Sequence, residues 1–412
     1  MNKTPSSNRL HIAFFGQTNA GKSSLINAIT KQNVALVSDV KGTTTDPVYK
    51  AMELLPIGPV MLIDTAGLND DTTLGHLRKH KTLEVLNKTD VALIVFDGTR
   101  EFHKTEEELI KTILSKNVAA LGVLNKSDII ADPVAVLKEY EAKYSLPFVL
   151  ASTITNEGIG NIKKMLIKHA PTDEDKFKIV GDLIKPGDFV VLVTPIDKAA
   201  PKGRLILPQQ QTIRDILESD AISIVTKEQE LKETLANLGK KPALVITDSQ
   251  AFLKVSADTP LDIPLTSFSI LFARHKGDLS SLVEGAAAIN KLQDGDKVLI
   301  AEGCTHHKQS DDIGTVKIPR WLRQATGKDL TFDHTAGITF KDSLEGYKLV
   351  IHCGGCMLNK RAMNHRIDSA KEENVPIVNY GVLIAYVHGI LDRALEPFPL
   401  AKLIWEQLKD DK

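Results

Sequence analysis

Cysteine is nearly missing from this chain: three occur among 412 residues. An odd and sparse set cannot supply the multi-bridge framework of a small secreted scaffold, so a reducing compartment is expected. Charge of one sign is not in excess either. Lys and Arg number 51 against 52 Asp and Glu, a net charge of −1, which removes the broad basic surface that sequence-independent nucleic-acid binding needs. Long hydrophobic runs are absent too, and none approaches the roughly 18 residues of a membrane helix. Residues 1–9 are polar and lack the apolar stretch of a secretory signal. A cytoplasmic protein with neither membrane nor nucleic acid as partner is the expectation. What remains is an ordinary globular composition, 42% hydrophobic and 25% charged, in a chain long enough for roughly two to four domains.

The few cysteines are placed together. Leu349-Val350-Ile351-His352-Cys353-Gly354-Gly355-Cys356 is an apolar run that ends in a glycine-rich Cys-x-x-Cys. Lys297–Gly303 is a second apolar run, followed by Cys304, with His306 and His307 just behind. Each reads as a short buried strand ending in a loop, so two strand ends would present three thiols and up to three imidazoles to one place. Cys-x-x-Cys spacing lets two thiolates hold one metal, or neighbouring corners of one cluster. A Cys3His zinc site, an iron–sulfur cluster and a redox-active dithiol all fit these residues taken alone. His365 and His388 read as structural histidines.

The first 170 residues carry a nucleotide signature. Arg9–Phe15 reads as a buried strand that runs into Gly16-Gln17-Thr18-Asn19-Ala20-Gly21-Lys22-Ser23, and Ser24–Ile29 reads as a helix. This is a P-loop in its proper strand–loop–helix context. Its backbone N–H groups, Gly16 and Ala20–Ser24 included, would face phosphate at a helix N-terminus. Lys22 supplies charge to the outer phosphates, and the Ser23 hydroxyl reaches Mg2+. Gly42-Thr43-Thr44-Thr45-Asp46 offers Thr44 to Mg2+ and the last phosphate. Asp64-Thr65-Ala66-Gly67 offers Asp64 to Mg2+ and the Gly67 N–H to that same phosphate. Asn125-Lys126-Ser127-Asp128 follows a strand, and the Asp128 carboxylate can accept both N–H donors of guanine, which adenine does not match. Ser152 and Thr153 follow the strand Phe148–Leu150 and are placed for backbone contact with the guanine carbonyl. GTP with Mg2+ is therefore the expected ligand, with Lys22, Thr44, Asp64 and Gly67 as catalytic residues. The residue after Gly67 is Leu68, where a water-orienting glutamine stands in faster GTPases, so slow intrinsic turnover is expected.

The remaining pattern alternates strand and helix, which predicts an α/β fold class throughout. The expected division is a doubly wound GTPase domain over 1–170, a middle α/β domain over 171–265 and a metal-binding α/β domain over 266–412. Thr194–Gln211 reads as a long loop, with a helix from Thr212 to Ser219. Pro264–Ala273 reads as a strand, Met357–Glu373 as a helix and Gly381–Leu395 as one amphipathic helix.

The Asn19-Ala20-Gly21-Lys22-Ser23 and Gly42-Thr43-Thr44-Thr45-Asp46 wording resembles the TrmE/Era branch of GTPases. In relatives of that branch an asparagine at the position of Asn19 helps hold K+ against the phosphates, so the resemblance implies that ion here. The whole chain, through Cys304-x-His306, His352-Cys353-x-x-Cys356 and the stretch Thr194–Gln211, resembles the HydF-type maturation GTPases of [FeFe]-hydrogenase. That resemblance implies a GTPase domain, a central dimerisation domain and a cluster domain. It implies a [4Fe–4S] cluster on Cys304, Cys353 and Cys356, with His306 or His352 near the fourth iron. It further implies a two-iron precursor as cargo, two radical-SAM maturases and apo-hydrogenase as partners, and a homodimer. The competing expectation is a TrmE/Era-like GTPase acting on RNA, with a zinc-stabilised module.

Overall fold

The computed structural model describes residues 4–31, 46–67, 73–100, 104–170, 178–195, 205–303, 312–337, 340–341 and 343–409. The chain divides into two compact units, Met1–Asp175 and Lys176–Lys412.

The first unit contains β1 (Leu10–Gly16), α1 (Lys22–Thr30), β2 (Val48–Leu54), β3 (Gly58–Asp64), α2 (Thr73–Leu86) and β4 (Val91–Asp97). It continues with α3 (Lys104–Ser115), β5 (Ala119–Asn125), α4 (Pro133–Lys143), β6 (Phe148–Leu150) and α5 (Ile159–His169). The six strands lie in the order β2-β3-β1-β4-β5-β6. Alternate residues of β1 enter different cores: Ile12 and Phe14 pack with Leu25, Leu62 and Leu93, whereas Ala13 and Phe15 pack with Ile63, Ile94 and Ile110. A strand apolar on both sides must be covered on both sides, which is why the parallel strands carry helices on both faces. The expected all-parallel sheet needs one correction, because β2 pairs antiparallel with β3. Its half-exposed residues, with Val48 and Tyr49 each 42% exposed, are those of an edge strand covered on one side only.

The second unit holds two four-stranded parallel sheets. β7 (Phe189–Val193), α6 (Leu207–Glu218), β8 (Ile222–Thr226), α7 (Leu231–Asn237), β9 (Leu244–Thr247), α8 (Phe252–Asp258) and β10 (Leu265–Ser267) build the first, ordered β10-β9-β7-β8. Next come α9 (Phe268–Lys276), α10 (Leu279–Ala287), β11 (Lys297–Glu302), α11 (Ile318–Thr326) and β12 (Thr331–Ala336). The chain ends with β13 (Tyr347–His352), α12 (Lys360–Glu372), β14 (Ile377–Asn379), α13 (Tyr380–Val387), α14 (Leu391–Ala394) and α15 (Pro399–Lys409). The second sheet is ordered β12-β11-β13-β14. One continuous apolar core serves both sheets, running from Val190 and Ile246 through Leu271 and Phe272 to Val298 and Ile351.

Several local expectations change for identifiable reasons. Helix α6 starts at Leu207 rather than Thr212, because Pro208 suits the first turn and Gln209 Oε1 accepts from the Ile206 N–H at 3.2 Å. The run expected as a strand to Ala273 turns helical at Phe268, where Ser267 Oγ caps the Ile270 N–H at 3.2 Å. Helix α12 starts at Lys360 because Asn359 caps it, accepting from the Ala362 N–H at 3.0 Å. The single helix expected over 381–395 breaks at Gly389, whose φ of 70° ends α13. Residue 265, where the sequence suggests a domain boundary, opens β10.

The glycines give a test of the packing. A Cβ at Gly285 of α10 would sit 2.0 Å from the Ile377 carbonyl oxygen, whereas one at Gly160 of α5 would meet nothing within 4 Å. Gly285→Ala is expected to cost roughly 1–3 kcal/mol of stability. Gly160→Ala is expected to be neutral or to add up to about 1 kcal/mol. Denaturant midpoints check the pair; a harmless Gly285→Ala would contradict the close α10–β14 packing.

Candidate functional site

The nucleotide elements converge at the carboxyl ends of β1, β3, β5 and β6. Gly16 has φ 146° and a Cβ there would lie 2.2 Å from the Val95 carbonyl, so the loop can leave β1 against β4 only through glycine. Gly21 has φ 96° and touches the Asn125 side chain, whose Nδ2 donates to the Ala20 carbonyl at 2.9 Å. The guanine-reading segment is thus tied directly to the phosphate loop. Asn19 is exposed, with φ 65°. Gly67 lies so close to Thr18 that a Cβ would meet its Oγ1 at 2.1 Å.

Lys22 is 7% exposed and donates to the Gly16 and Gln17 carbonyls at 3.1 and 2.9 Å. Burial pushes its ammonium down to about 8, with Asp64 opposing. Ser23 Oγ donates to Asp64 Oδ2 at 2.5 Å, while Asp64 Oδ1 is buried with no hydrogen-bond partner. Burial raises the Asp64 pKa, against the Ser23 bond and Lys22. An unpartnered carboxylate oxygen beside a serine hydroxyl is an all-oxygen donor set that fits Mg2+. Ser24 follows in the first turn of α1.

On the base side, Lys126 takes φ 64° and its Nζ donates to Asp97 Oδ2 at 2.6 Å. Burial works against ionisation of Asp97, but the bonds from Lys126 and Thr99 outweigh it and hold the carboxyl below its ordinary value. Asp97 escaped the sequence reading; its signal was a lone carboxylate ending the apolar run Val91–Phe96. Asp128 is exposed in a single 3-10 turn, Ser127–Ile129. Ser152 is fully buried, its Oγ accepting from the Ile154 and Thr155 N–H groups at 3.2 and 3.1 Å, with Thr153 beside it. Thr44 and Leu68 lie outside the described residues.

Cys353 follows the carboxyl end of β13, which pairs in parallel with β11, Ala301 opposite His352. The Cys353 N–H donates to the Ala301 carbonyl at 2.9 Å. Cys353 Sγ accepts from the Gly303 N–H at 3.1 Å and from the Gly355 N–H at 3.4 Å. The residue leading into Cys304 therefore touches the sulfur of Cys353. Cys353 and Cys356 are half-buried. Cys304, His306 and His307 lie outside the described residues, and among the described residues no three metal-ligating side chains group together. Two thiols three residues apart, one already accepting two N–H donors, form a donor set suited to a soft metal or an iron–sulfur cluster.

His352 ends β13. It is fully buried, with Nδ1 2.7 Å from the Cys353 carbonyl oxygen and Nε2 2.7 Å from Arg366 Nη1. A carbonyl only accepts and a guanidinium only donates, so the ring is neutral with its proton on Nδ1. Burial, then Arg366, push its pKa down to about 3. Both ring nitrogens are engaged inside the protein. Arg366 also donates to the Gly337 carbonyl at 2.9 Å. It shares the buried face of α12 with Met363, Ile367 and Ala370, and an arginine on an apolar helical stripe was the available sequence signal. Lys276 was also missed: its Nζ reaches the carbonyls of Gly355, Cys356 and Leu358. The half-buried His388 ring lies edge-on to Trp321, consistent with a structural role.

Residues 11–126 match the family model described as a 50S ribosome-binding GTPase, 179–277 the hydrogen maturase F dimerization domain and 280–397 the hydrogen maturase F tetramerization domain. The last two together span more than half of the chain. The chain is 30% identical to GTPase Der of Mycoplasmopsis pulmonis over 187 residues, 42% of this chain and 43% of that protein. It is 40% identical over 121 residues to the tRNA modification GTPase MnmE of a Thermoanaerobacter strain, 29% of this chain and 26% of that protein. The chain thus spans less than half the length of these curated relatives. Among solved structures, a variant Era of Aquifex aeolicus bound to GDP·AlF4− aligns with 20% identity and a TM-score of 0.37, covering 56% of this chain and 98% of that one.

The Lys22 environment gives a pH dependence. Bound phosphate favours the charged ammonium, whose pKa is pushed down to about 8, so binding takes up a proton above that pH. Nucleotide affinity is expected to be constant below about pH 8 and to weaken above it, by up to about tenfold per pH unit. Equilibrium GDP binding across that range checks it; affinity that is flat or rises would contradict the buried lysine.

Proposed function

The chain belongs to the hydrogen maturase F family, and on that premise we propose a GTP-hydrolysing scaffold that carries an iron–sulfur cluster. The cluster is a [4Fe–4S] held by Cys304, Cys353 and Cys356, and the cargo is the two-iron precursor of the [FeFe]-hydrogenase site. The observation that carries this reading is the Gly303 N–H bond to Cys353 Sγ at 3.1 Å. It brings the strand leading into Cys304 onto the Cys-x-x-Cys loop, in a chain whose N-terminal domain is a GTPase. Three thiolates from one chain leave a cubane with one iron open to exchange, the chemistry a carrier requires. His306 remains a candidate for that iron. No helix among the described residues is long and apolar enough to cross a membrane.

In the GTPase unit the loop from Gly16 to Ser23 cradles the phosphates, and Lys22 turns from its carbonyl partners to the outer ones. Ser23 and Asp64, with Thr44, would hold Mg2+, which neutralises charge developing on the transferred phosphoryl group. Gly67 offers its N–H to the last phosphate, and Asp128 with Asn125 selects guanine. Ser152 and Thr153 meet the guanine carbonyl. Asn19 holds K+ where a faster enzyme would use an arginine. The middle segment supports self-association as a homodimer, in keeping with the two oligomerisation models. Two radical-SAM maturases supply the cargo and apo-hydrogenase receives it, in the cytoplasm.

The two activities are expected to separate. Asp128→Asn should move preference from guanine to xanthine nucleotides without altering iron content. Cys353→Ser should abolish the cluster while hydrolysis stays within about twofold. Measured GTP turnover and iron content for both variants decide; a folded Cys353→Ser protein that keeps its full iron would contradict the assignment.

A further inference from the structure

Lys276 is the last residue of α9, whose Phe268, Leu271 and Phe272 are buried in the apolar core. The side chain is 3% exposed and donates to three carbonyl oxygens, Leu358 at 2.9 Å, Cys356 at 3.0 Å and Gly355 at 3.1 Å. An ammonium has three hydrogens, so its donors are fully used on one turn of the thiol loop. Among the described residues no carboxylate lies within ion-pair distance of it. Burying a cation is costly unless a negative charge nearby offsets the lost hydration. If holding the loop were the only task, backbone donors or a water would serve the three carbonyls without a buried charge. The charge makes sense if the loop it grips is anionic.

We propose that Lys276 is a positioning residue for the metal-binding pair: it fixes the Gly355–Leu358 turn and supplies the positive charge that balances the metal-bound thiolates. This rests on the reading that Cys353 and Cys356 hold an iron–sulfur cluster. Lys276 lies within the segment matching the dimerization model, and the loop lies within the segment matching the tetramerization model. One side chain thus joins α9 of the first to the cluster loop of the second. A cation beside a cluster stabilises the reduced, more negative form, so its removal should make reduction harder.

The test compares the anaerobically reconstituted full-length protein with K276M, K276Q and K276R. Midpoint potential, the EPR spectrum of the reduced state and the rate of iron loss to EDTA are the readouts, with circular dichroism and gel filtration confirming the fold. K276M and K276Q are expected to shift the potential to more negative values, and K276R to stay near the parent. Iron loss should be at least about tenfold faster in K276M, the scale at which second partners of metal ligands act, and intermediate in K276Q. If K276M fails to fold, K276Q against K276R supplies the same contrast in charge. A parent that loads a cluster, with folded variants that match it in potential and iron loss, overturns the role of Lys276. A parent that takes up no iron overturns the cluster reading, and this inference with it.

Discussion

The parallel pairing of β11 with β13 is the constraint on which the placing of the Cys-x-x-Cys loop depends. Two apolar strands, 297–302 and 347–352, pair in parallel with a register shift between Lys297 and Val298, and they are buried from Val298 and Leu349 onward, where backbone groups must find partners within the sheet. The ladder continues one step past β13, through the Cys353 N–H to the Ala301 carbonyl. It then passes into sulfur chemistry through the Gly303 N–H to Cys353 Sγ. The Cys353–Cys356 turn is glycine-rich, and Cys353 leaves directly from the end of β13. Its place is set by the strands beneath it, as in other open α/β sheets whose ligands sit at strand carboxyl ends.

Charge around that turn is arranged with little help from solvent. Arg366 and Lys276, 2% and 3% exposed, approach the thiol loop from α12 and α9. Arg366 meets the His352 ring and a carbonyl, and Lys276 meets three carbonyls. Tyr380 donates to the buried Glu302 at 3.2 Å. The nucleotide unit uses the opposite device. There a buried lysine and a half-buried aspartate, Lys22 and Asp64, face a site meant to receive a polyanion and a divalent cation. Their altered pKa values, down for the lysine and up for the carboxyl, reflect burial ahead of any partner.

What could be read from sequence follows from where the physics is local. The P-loop was legible because Gly16 and Gly21 occupy backbone conformations that close contacts restrict to glycine, and such constraints leave fixed spacing. The cysteine strands were legible as unbroken apolar runs. Strand β2 was not, since an edge strand with half-exposed Val48 and Tyr49 lacks that run. The helix at Phe268 was mistaken for a strand because a buried helix and a buried strand look alike over six residues. Lys276 was illegible for another reason: it acts through contacts with residues far along the chain, and nothing in the neighbouring sequence records that it turns inward, whereas Arg366 had the apolar stripe of α12 as its signal. For His352 closeness to Cys353 in sequence suggests a ligand, and what the sequence does not record is that its ring meets Arg366 and a carbonyl.

The account stands or falls on what the three cysteines hold. Iron, acid-labile sulfide and zinc should be quantified on the full-length protein after anaerobic reconstitution, with EPR recorded before and after reduction. About four irons and four sulfides per chain, with a cubane signal on reduction that added imidazole or cyanide perturbs, is the predicted result. A colourless protein with one tightly held zinc per chain and no sulfide would contradict it, and would turn the site into a structural one.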